Sequence, residues 1–418
     1  MALAPQHFNL LDPAVIADPY PFYRSLLEHA PVYRIPDTEV FFVAGWQLIH
    51  QVLRNQQDFS ANLSGILMTG ADGAPALFDL TQFGSTVDAL ANADEPWHAV
   101  HRKLVLPQLN ARKVAAMEPE VRTWVRQRVQ QLVGAGGGDA VNLLANPIPV
   151  MVMARLTGLP VTDVDQLLQW AFSGGDILAG TATLDGMLEL ATSTTELAQY
   201  LKQHFARISH AMADPPDCVL HELVLGVRRG LIDEAAAIAI LIVLVGAAGE
   251  STSSLAGSAL RLLAENAALQ AQLRAQPAQI EAFVEEVVRL ESPFKGHYRV
   301  VLNACELGGV CLPAGSRVFL LWAAANRDPA VFQAPDEIQP GRADGREHLG
   351  FGHGMHFCIG ARLARFEVRL MLEEILAATT GFTLDPTIAP LHTQSIFVRR
   401  LDRLMLRAAA AKAYRATD

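Results

Sequence analysis

The most constraining stretch of this chain is a glycine-punctuated loop around one cysteine, FGHGMHFCIG, at positions 351–360. Gly352 and Gly354 permit backbone conformations and close approaches that a side chain would block. From Ile359 onward apolar residues recur at helical spacing, so the loop runs into a helix N-terminus. Free N–H groups and the helix dipole at that position favour a thiolate on Cys358. A loop that presents one thiolate to a large flat partner is what a haem-thiolate site requires. The alternative is a buried structural cysteine in a glycine-rich turn.

The composition favours a large globular protein in a reducing compartment. Of the 418 residues 51% are apolar and 18% are charged, so a large core can form. The formal net charge of −10 argues against general nucleic-acid binding, which needs a basic surface. The four cysteines are too few and too scattered to form a disulfide framework. Residues 1–19 lack the pattern of a signal peptide, and we expect a cytoplasmic protein.

One apolar run, Ala235–Ala248, raises the question of a membrane span. It is shorter than the roughly 20 residues that cross a bilayer, and a glutamate follows it closely. We therefore predict a buried core helix from Asp233 to about Glu265, without membrane attachment.

The middle of that helix carries polar side chains, Glu250, Ser251 and Thr252. A carboxylate and hydroxyls inside an apolar helix are costly unless they are hydrogen-bonded. Buried ionisable groups concentrate where protons move, which favours a functional interpretation. The alternative is a helix that becomes polar as it leaves the core.

Charged pairs at helical spacing mark three further segments. His98 and Arg102 lie four residues apart, so they form either a carboxylate clamp or a solvated helix face. Glu286 and Arg289 lie three apart, the spacing of an ordinary surface pair. A basic face after the cysteine is either solvated or a docking patch for an acidic electron donor, with further basic residues as additions. Its members are Arg362, Arg365 and Arg369, and the additions are Lys103, Arg112 and Lys113.

The loop at 351–360 resembles the haem-binding loop of the cytochromes P-450, Phe-Gly-x-Gly-x-His-x-Cys-x-Gly, and it matches at every fixed position. The resemblance extends over nearly the whole chain. It implies a mainly α fold with small β-sheets, in a single domain over residues 1–418. We expect flexible ends at about 1–12 and 408–418.

The resemblance also implies a cofactor and the residues that hold it. The cofactor would be haem b, with the Cys358 thiolate as the iron ligand. The side chains that would contact the haem propionates are His98, Arg102, Arg299 and His356. A buried ionic network behind the thiolate would consist of Glu286, Arg289 and Arg342.

The polar middle of the long helix is similar to the family's oxygen-binding groove, usually Ala-Gly-x-acid-Thr. This register makes Glu250 the acid and Ser251 the alcohol, with Ala248 in place of the usual glycine. Thr252 is the alternative proton relay, although it lies about 100° further round the helix. We expect a working but less tightly coupled oxygen cycle.

The implied activity is that of a monooxygenase, which inserts one atom of O2 into a small-to-medium hydrophobic substrate by hydroxylation or epoxidation. Electrons from NAD(P)H would arrive through a ferredoxin reductase and a ferredoxin. The predicted substrate contacts are Ala247, Ala248, Phe294, Ile396 and Phe397. Two alternatives stay open: a peroxide-driven or non-oxygenating haem-thiolate enzyme, and a haem-based ligand-binding protein without turnover.

Overall fold

Helices dominate the computed structural model, which describes residues 3–70, 73–83, 88–210 and 216–411. In chain order the helices are α1 Pro13–Ala17, α2 Tyr20–His29, α3 Trp46–Arg54, α4 Trp97–Val105, α5 Ala111–Ala116, α6 Glu118–Gly134, α7 Pro147–Thr157, α8 Val164–Ile177, α9 Leu184–His210, α10 Val219–Arg228, α11 Glu234–Glu265, α12 Ala267–Ala275, α13 Ile280–Glu291, α14 Trp322–Ala325 and α15 Ala361–Ala378.

Short strands form several small sheets beside the helices. They are β1 Val32–Arg34, β2 Val40–Val43, β3 Phe59–Ser60, β4 Gly65–Thr69, β5 Pro75–Asp79, β6 Gly137–Asp139, β7 His297–Val301, β8 Cys305–Leu307, β9 Val310–Leu312, β10 Arg317–Leu320, β11 Thr379–Leu384, β12 Leu391–His392, β13 Leu401–Arg403 and β14 Met405–Ala410. The largest sheet has the order β1-β2-β10-β7-β3, with β2 and β10 parallel and its other pairs antiparallel. A second sheet joins β11, β14 and β6. The predicted fold class, mainly α with small sheets, is confirmed.

Helix α11 is the centre of the larger hydrophobic core. It has 32 residues and is about 48 Å long at about 1.5 Å per residue. It begins where the Asp233 side chain accepts a hydrogen bond from the Ala236 N–H, which satisfies one of the free donors of the first turn. By length and composition α11 could cross a membrane, but half of its most apolar stretch is buried and α7, α8 and α13 pack against it. These contacts are those of a core helix.

Both predicted flexible ends contain ordered residues. Leu10 and Leu11 are buried near the start of the chain. Residues 408–410 pair with β11 as the last part of β14, because backbone hydrogen bonds continue to Ala410. The flexibility of the two ends stays a prediction, and positions 1–2 and 412–418 lie outside the described part of the chain.

The cysteine loop enters α15 through a short 3-10 turn at Gly354–His356. Gly352 and Gly354 have φ values of 69° and 70°, in the left-handed region that side chains disfavour. Both glycines are therefore required by the backbone path that leads to Cys358.

Candidate active site

The Cys358 side chain opens onto accessible space, although its loop lies against α15 and α4. Its backbone N–H donates to the Phe351 carbonyl at 2.8 Å, which fixes the loop. The thiol is accessible, and the neighbouring chain partly desolvates it, which raises its pKa. The N–H groups of Gly360 and Ala361 and the charges of two nearby arginines oppose that rise. The loop therefore surrounds the sulfur with N–H donors and positive charges, which favour a metal-bound thiolate.

Donor side chains from three separate elements meet beside this loop. The rings of His98, on α4, and His356 lie 4.2 Å apart between centroids. Arg102, one turn beyond His98, donates to the Phe357 carbonyl at 2.9 Å. Arg299, on β7, is buried and donates to the Tyr298 carbonyl at 2.6 Å. The structure thus brings together the four side chains predicted to contact propionates.

His356 and Arg299 are desolvated in this cluster, and the nearby carboxylates are Asp94 and Glu95, the latter 3.1 Å from the His98 ring. Burial, together with the charges of Arg299 and His98, lowers the pKa of His356 to about 3. Burial lowers the pKa of Arg299 to about 10, against the opposing charge of Asp94. Within the described residues the Nδ1 atom of His356 is buried and lacks a hydrogen-bond partner. An orphaned buried nitrogen beside desolvated arginines fits an anionic group, such as the propionates of a haem.

His297 is a residue of this region that sequence reasoning missed. It precedes Arg299 by two positions on β7, so both side chains lie on one face of the strand. Its ring stands perpendicular to Phe397 at 5.8 Å, and Phe397 lies 4.8 Å from Phe294. Burial and the charge of Arg299 lower the pKa of His297 to about 3, so the imidazole is neutral. The alternation of side chains along β7 could have identified His297, because it places His297 on the same face as Arg299.

The other predicted substrate contact in that segment, Ile396, packs against the segment that follows α8. Its N–H donates to the Ala179 carbonyl at 2.9 Å, and its side chain packs tightly on Gly180. It belongs to the second hydrophobic core with Leu67. The same core also contains Phe397, with Phe294 packed against it, and Ile396 joins them to the segment that follows α8.

The accessible face of α11 distinguishes Ser251 from Thr252, the two residues whose hydroxyls are candidate proton relays. Ala247 is exposed in mid-helix, and Ala248 and Ser251 are half-buried, whereas Thr252 is buried. The Ser251 hydroxyl donates to the Ala247 carbonyl at 2.6 Å, a back-bond of the kind that bends helices. Ser251, rather than Thr252, shares the accessible face with Ala247.

Glu250 is turned away from that face and is almost completely buried. Its Oε1 atom accepts a hydrogen bond from Arg400 Nη1 at 2.6 Å. Burial raises the pKa of Glu250 to about 8, although the Arg400 charge opposes the rise. The carboxyl can therefore exchange a proton near neutral pH. Arg400 was missed because its sequence surroundings contain no motif.

Gly249, the residue before Glu250 on α11, has a packing role. It is buried against α8, where a Cβ would lie 2.8 Å from the Cβ of Ala171. The glycine is needed for the close crossing of α8 and α11, and not for space around Ser251.

The predicted ionic network behind the loop is assembled and buried. Glu286 accepts from Arg289 Nε and Nη2, both at 2.8 Å, and from Arg342 Nη1 at 3.5 Å. The Gln339 N–H donates to the same carboxylate at 3.0 Å. Asn326 adds a carbonyl acceptor for Arg289 at 2.9 Å. This set connects α13 with the segment that precedes the cysteine loop.

The predicted docking arginines on α15 are largely engaged within the molecule. Arg365 pairs with Glu285, and Arg369 pairs with Glu373 at 2.7 Å. Arg362 is exposed and has no ion pair among the described residues. Of the three α15 arginines predicted to form a docking face, Arg362 is therefore the one left exposed without an ion pair among the described residues.

Comparison with known proteins places this site in a family. The sequence model of Cytochrome P-450 matches residues 197–386, a span that includes the loop at 351–360. Cytochrome P-450 144 of Mycobacterium tuberculosis is 39% identical over 395 residues, covering 94% of this chain and 89% of the relative. The erythromycin C-12 hydroxylase of Saccharopolyspora erythraea is 34% identical over 341 residues, covering 81% of each protein. The crystal structure of CYP109E1 from Bacillus megaterium in complex with testosterone is 26% identical, with a TM-score of 0.83 over 94% of this chain and 99% of that one.

Proposed function

The chain belongs to the cytochrome P-450 family of monooxygenases, and on that premise we propose that it binds haem b through Cys358 and oxygenates a hydrophobic organic substrate. The observation that carries the proposal is the convergence of His98, Arg102, Arg299 and His356 beside an accessible cysteine. These donors fit two propionates, and the sulfur fits the iron. When bound, the haem would supply the activation of dioxygen and the transfer of one of its oxygen atoms to the substrate.

In this proposal, side chains of the protein bind the cofactor and transfer protons. Arg102 and Arg299 supply charge-assisted hydrogen bonds to carboxylates, and His356 supplies the ring nitrogen that lacks a partner. Glu250 holds a proton beneath α8, since burial raises the pKa of its carboxyl to about 8. The Ser251 hydroxyl lies on the accessible face of α11 and can pass a proton to groups on that face.

The substrate side of the site is largely apolar. Ala247, Ala248, Phe294 and Phe397 supply aliphatic and aromatic surface, which favours a hydrophobic ligand. His297 adds one neutral polar group at the edge of this surface, suited to a substrate hydroxyl or carbonyl. The names of the erythromycin C-12 hydroxylase and of the CYP109E1 complex with testosterone agree with a hydrophobic substrate of this kind.

Electrons would come from NAD(P)H through a ferredoxin reductase and a ferredoxin, in the cytoplasm. Arg362 and Lys103 are exposed cations on α15 and α4, the helices next to the cysteine loop. They could pair with an acidic protein surface, an interaction that salt weakens.

Turnover with different oxidants tests the proposal. The haem-loaded protein is supplied with NADPH, a surrogate ferredoxin and its reductase, and compounds selected by their displacement of the water ligand of ferric haem. We expect an oxygenated product that requires dioxygen and both electron carriers. Product with hydrogen peroxide alone would favour the peroxide-driven enzyme, and spectral shifts without any product would favour a ligand-binding protein.

A further inference from the structure

The Glu250 carboxyl is held by an arginine that lies 150 residues further along the chain. Arg400 comes immediately before β13 and is buried. Besides its hydrogen bond to Glu250, its Nε donates to the Thr393 hydroxyl at 3.0 Å. Its backbone carbonyl accepts from the Thr393 N–H at 2.9 Å. The guanidinium is therefore fixed by its own hairpin before it reaches α11.

Helix α8 also contacts the Glu250–Arg400 pair. Arg400 Nη2 lies 3.3 Å from Asp176 Oδ1, and the guanidinium lies 4.1 Å from the ring centroid of Phe172. Gly175 lies directly on Glu250, and a Cβ at that position would overlap the carboxylate. A glycine, an acid and an aromatic ring within one turn of α8 thus enclose the Glu250–Arg400 pair.

The charges around the carboxyl oppose one another. Arg400 favours the ionised form of Glu250, whereas Asp176 and Asp402 disfavour it, and burial disfavours it most. Asp402 lies 3.5 Å from Arg400 Nε, so both aspartates also compete for the guanidinium. Buried ion pairs add little net stability compared with apolar residues of similar size, so stability alone does not explain this arrangement.

We propose that Arg400 is a positioning residue for the proton-carrying carboxyl of Glu250, and that through Asp176 it ties this carboxyl to helix α8. The inference rests on the proposed function, in which Glu250 carries protons toward the accessible face of α11. Arg400 fixes which way the carboxyl points, and the balance between Arg400 and Asp176 sets the pH at which it releases its proton.

Two substitutions should move the titration of Glu250 in opposite directions. Arg400→Gln removes the favourable charge and should raise the pKa of Glu250, whereas Asp176→Asn removes an unfavourable charge and should lower it. Arg400→Lys keeps the charge and should restore much of the wild-type value. Arg403→Gln is the matched control, because this neighbouring arginine is exposed and has no ion pair among the described residues.

The titration is read without turnover, from pH-dependent infrared difference spectra of the haem-loaded, substrate-free protein. The carboxyl band that disappears in Glu250→Gln identifies the residue. Product formed per oxygen consumed is then measured against pH in the same variants. We expect the midpoint of that profile to follow the infrared midpoint upward in Arg400→Gln and downward in Asp176→Asn, with Arg403→Gln unchanged.

The outcomes separate this inference from the proposed function. If Arg400→Gln and Asp176→Asn both leave the infrared midpoint at the wild-type value, the positioning role is wrong, whatever the activity. Asp176 is more than one-third exposed, so Asp176→Asn also serves if Arg400→Gln does not fold. If wild type oxygenates no substrate but the infrared midpoints shift as expected, the proposed function fails and the contact between Arg400 and Glu250 stands.

Discussion

Two buried glutamate–arginine pairs in this molecule have different surroundings. Glu286 accepts hydrogen bonds from Arg289, Arg342 and the Gln339 N–H, so its carboxylate is saturated with donors. Glu250 accepts from Arg400, and Asp176 competes for the same guanidinium. A glutamate–arginine pair therefore forms a fixed structural link behind the cysteine, whereas the second pair, on α11, contains a carboxyl whose pKa is raised.

The largest expected effect comes from breaking the saturated pair. In Glu286→Ala the Arg289 guanidinium stays buried without its carboxylate, which should cost about 3–5 kcal/mol of unfolding free energy. Urea denaturation measures this loss, and the haem-to-protein ratio should fall with it because α13 loses its link to the cysteine loop.

Glu281→Ala is the matched control on the same helix. Its side chain is 79% exposed, so we expect a change below about 0.5 kcal/mol. A Glu286→Ala protein with normal haem content and wild-type stability would contradict the structural role of Glu286.

Glu250→Gln should strongly reduce activity and change stability little, in contrast to Glu286→Ala. The rate of product formation should fall about 100-fold or more, as for loss of a general acid or base. At about pH 4.5, where the folded protein keeps the Glu250 proton, the unfolding free energy should change by only about 1 kcal/mol, because Arg400 keeps Asp176 and Asp402 as partners. Steady-state kinetics and urea denaturation of the same preparation check both parts. A stability loss equal to that of Glu286→Ala would remove the distinction between the two pairs.

The stability of wild type should also report the Glu250 proton. The folded protein raises the pKa of this carboxyl from 4.5 to about 8, so the folded state retains a proton that the unfolded state releases. The resulting stabilisation is complete below about pH 4.5 and is lost as the pH rises through about 8. Subtracting the unfolding free energy of Glu250→Gln at each pH should isolate this loss. A pH-independent difference would mean that Glu250 does not titrate in this range.

The open face of α11 predicts a smaller effect that separates the two hydroxyls. Ser251→Ala should lower the product formed per oxygen consumed several-fold and raise peroxide release, because Ser251 is on the accessible face. Thr252→Ala should leave this ratio close to wild type, because Thr252 is buried. The reverse result would mean that Thr252 is the proton relay.

The smallest expected effect concerns the electron donor. Arg362→Gln should weaken ferredoxin binding about twofold at low salt, the size of one exposed ion pair. Arg369→Gln should weaken it less, because Arg369 is already paired with Glu373. Titration at two ionic strengths measures both. Equal effects of the two substitutions on ferredoxin binding would support a docking face that includes Arg369 as well as Arg362.

Local patterns in the sequence predicted much of this molecule. The cysteine loop, the long helix and the Glu286–Arg289 pair depend on residues close together in the chain, so spacing was sufficient. Arg400 was missed because its contact with Glu250 depends on how a hairpin packs over α11, 150 residues away. The role of Gly249 was missed for the same reason, since the crossing with α8 is a tertiary contact.

The ferrous carbon monoxide difference spectrum of the haem-loaded protein tests the central claim most directly. Coordination of the iron by the Cys358 thiolate predicts the red-shifted band of a thiolate-bound haem. Cys358→His should lose that band while retaining haem through Arg102, Arg299 and His356. A wild-type spectrum without the red-shifted band would contradict the assignment of Cys358 as the iron ligand.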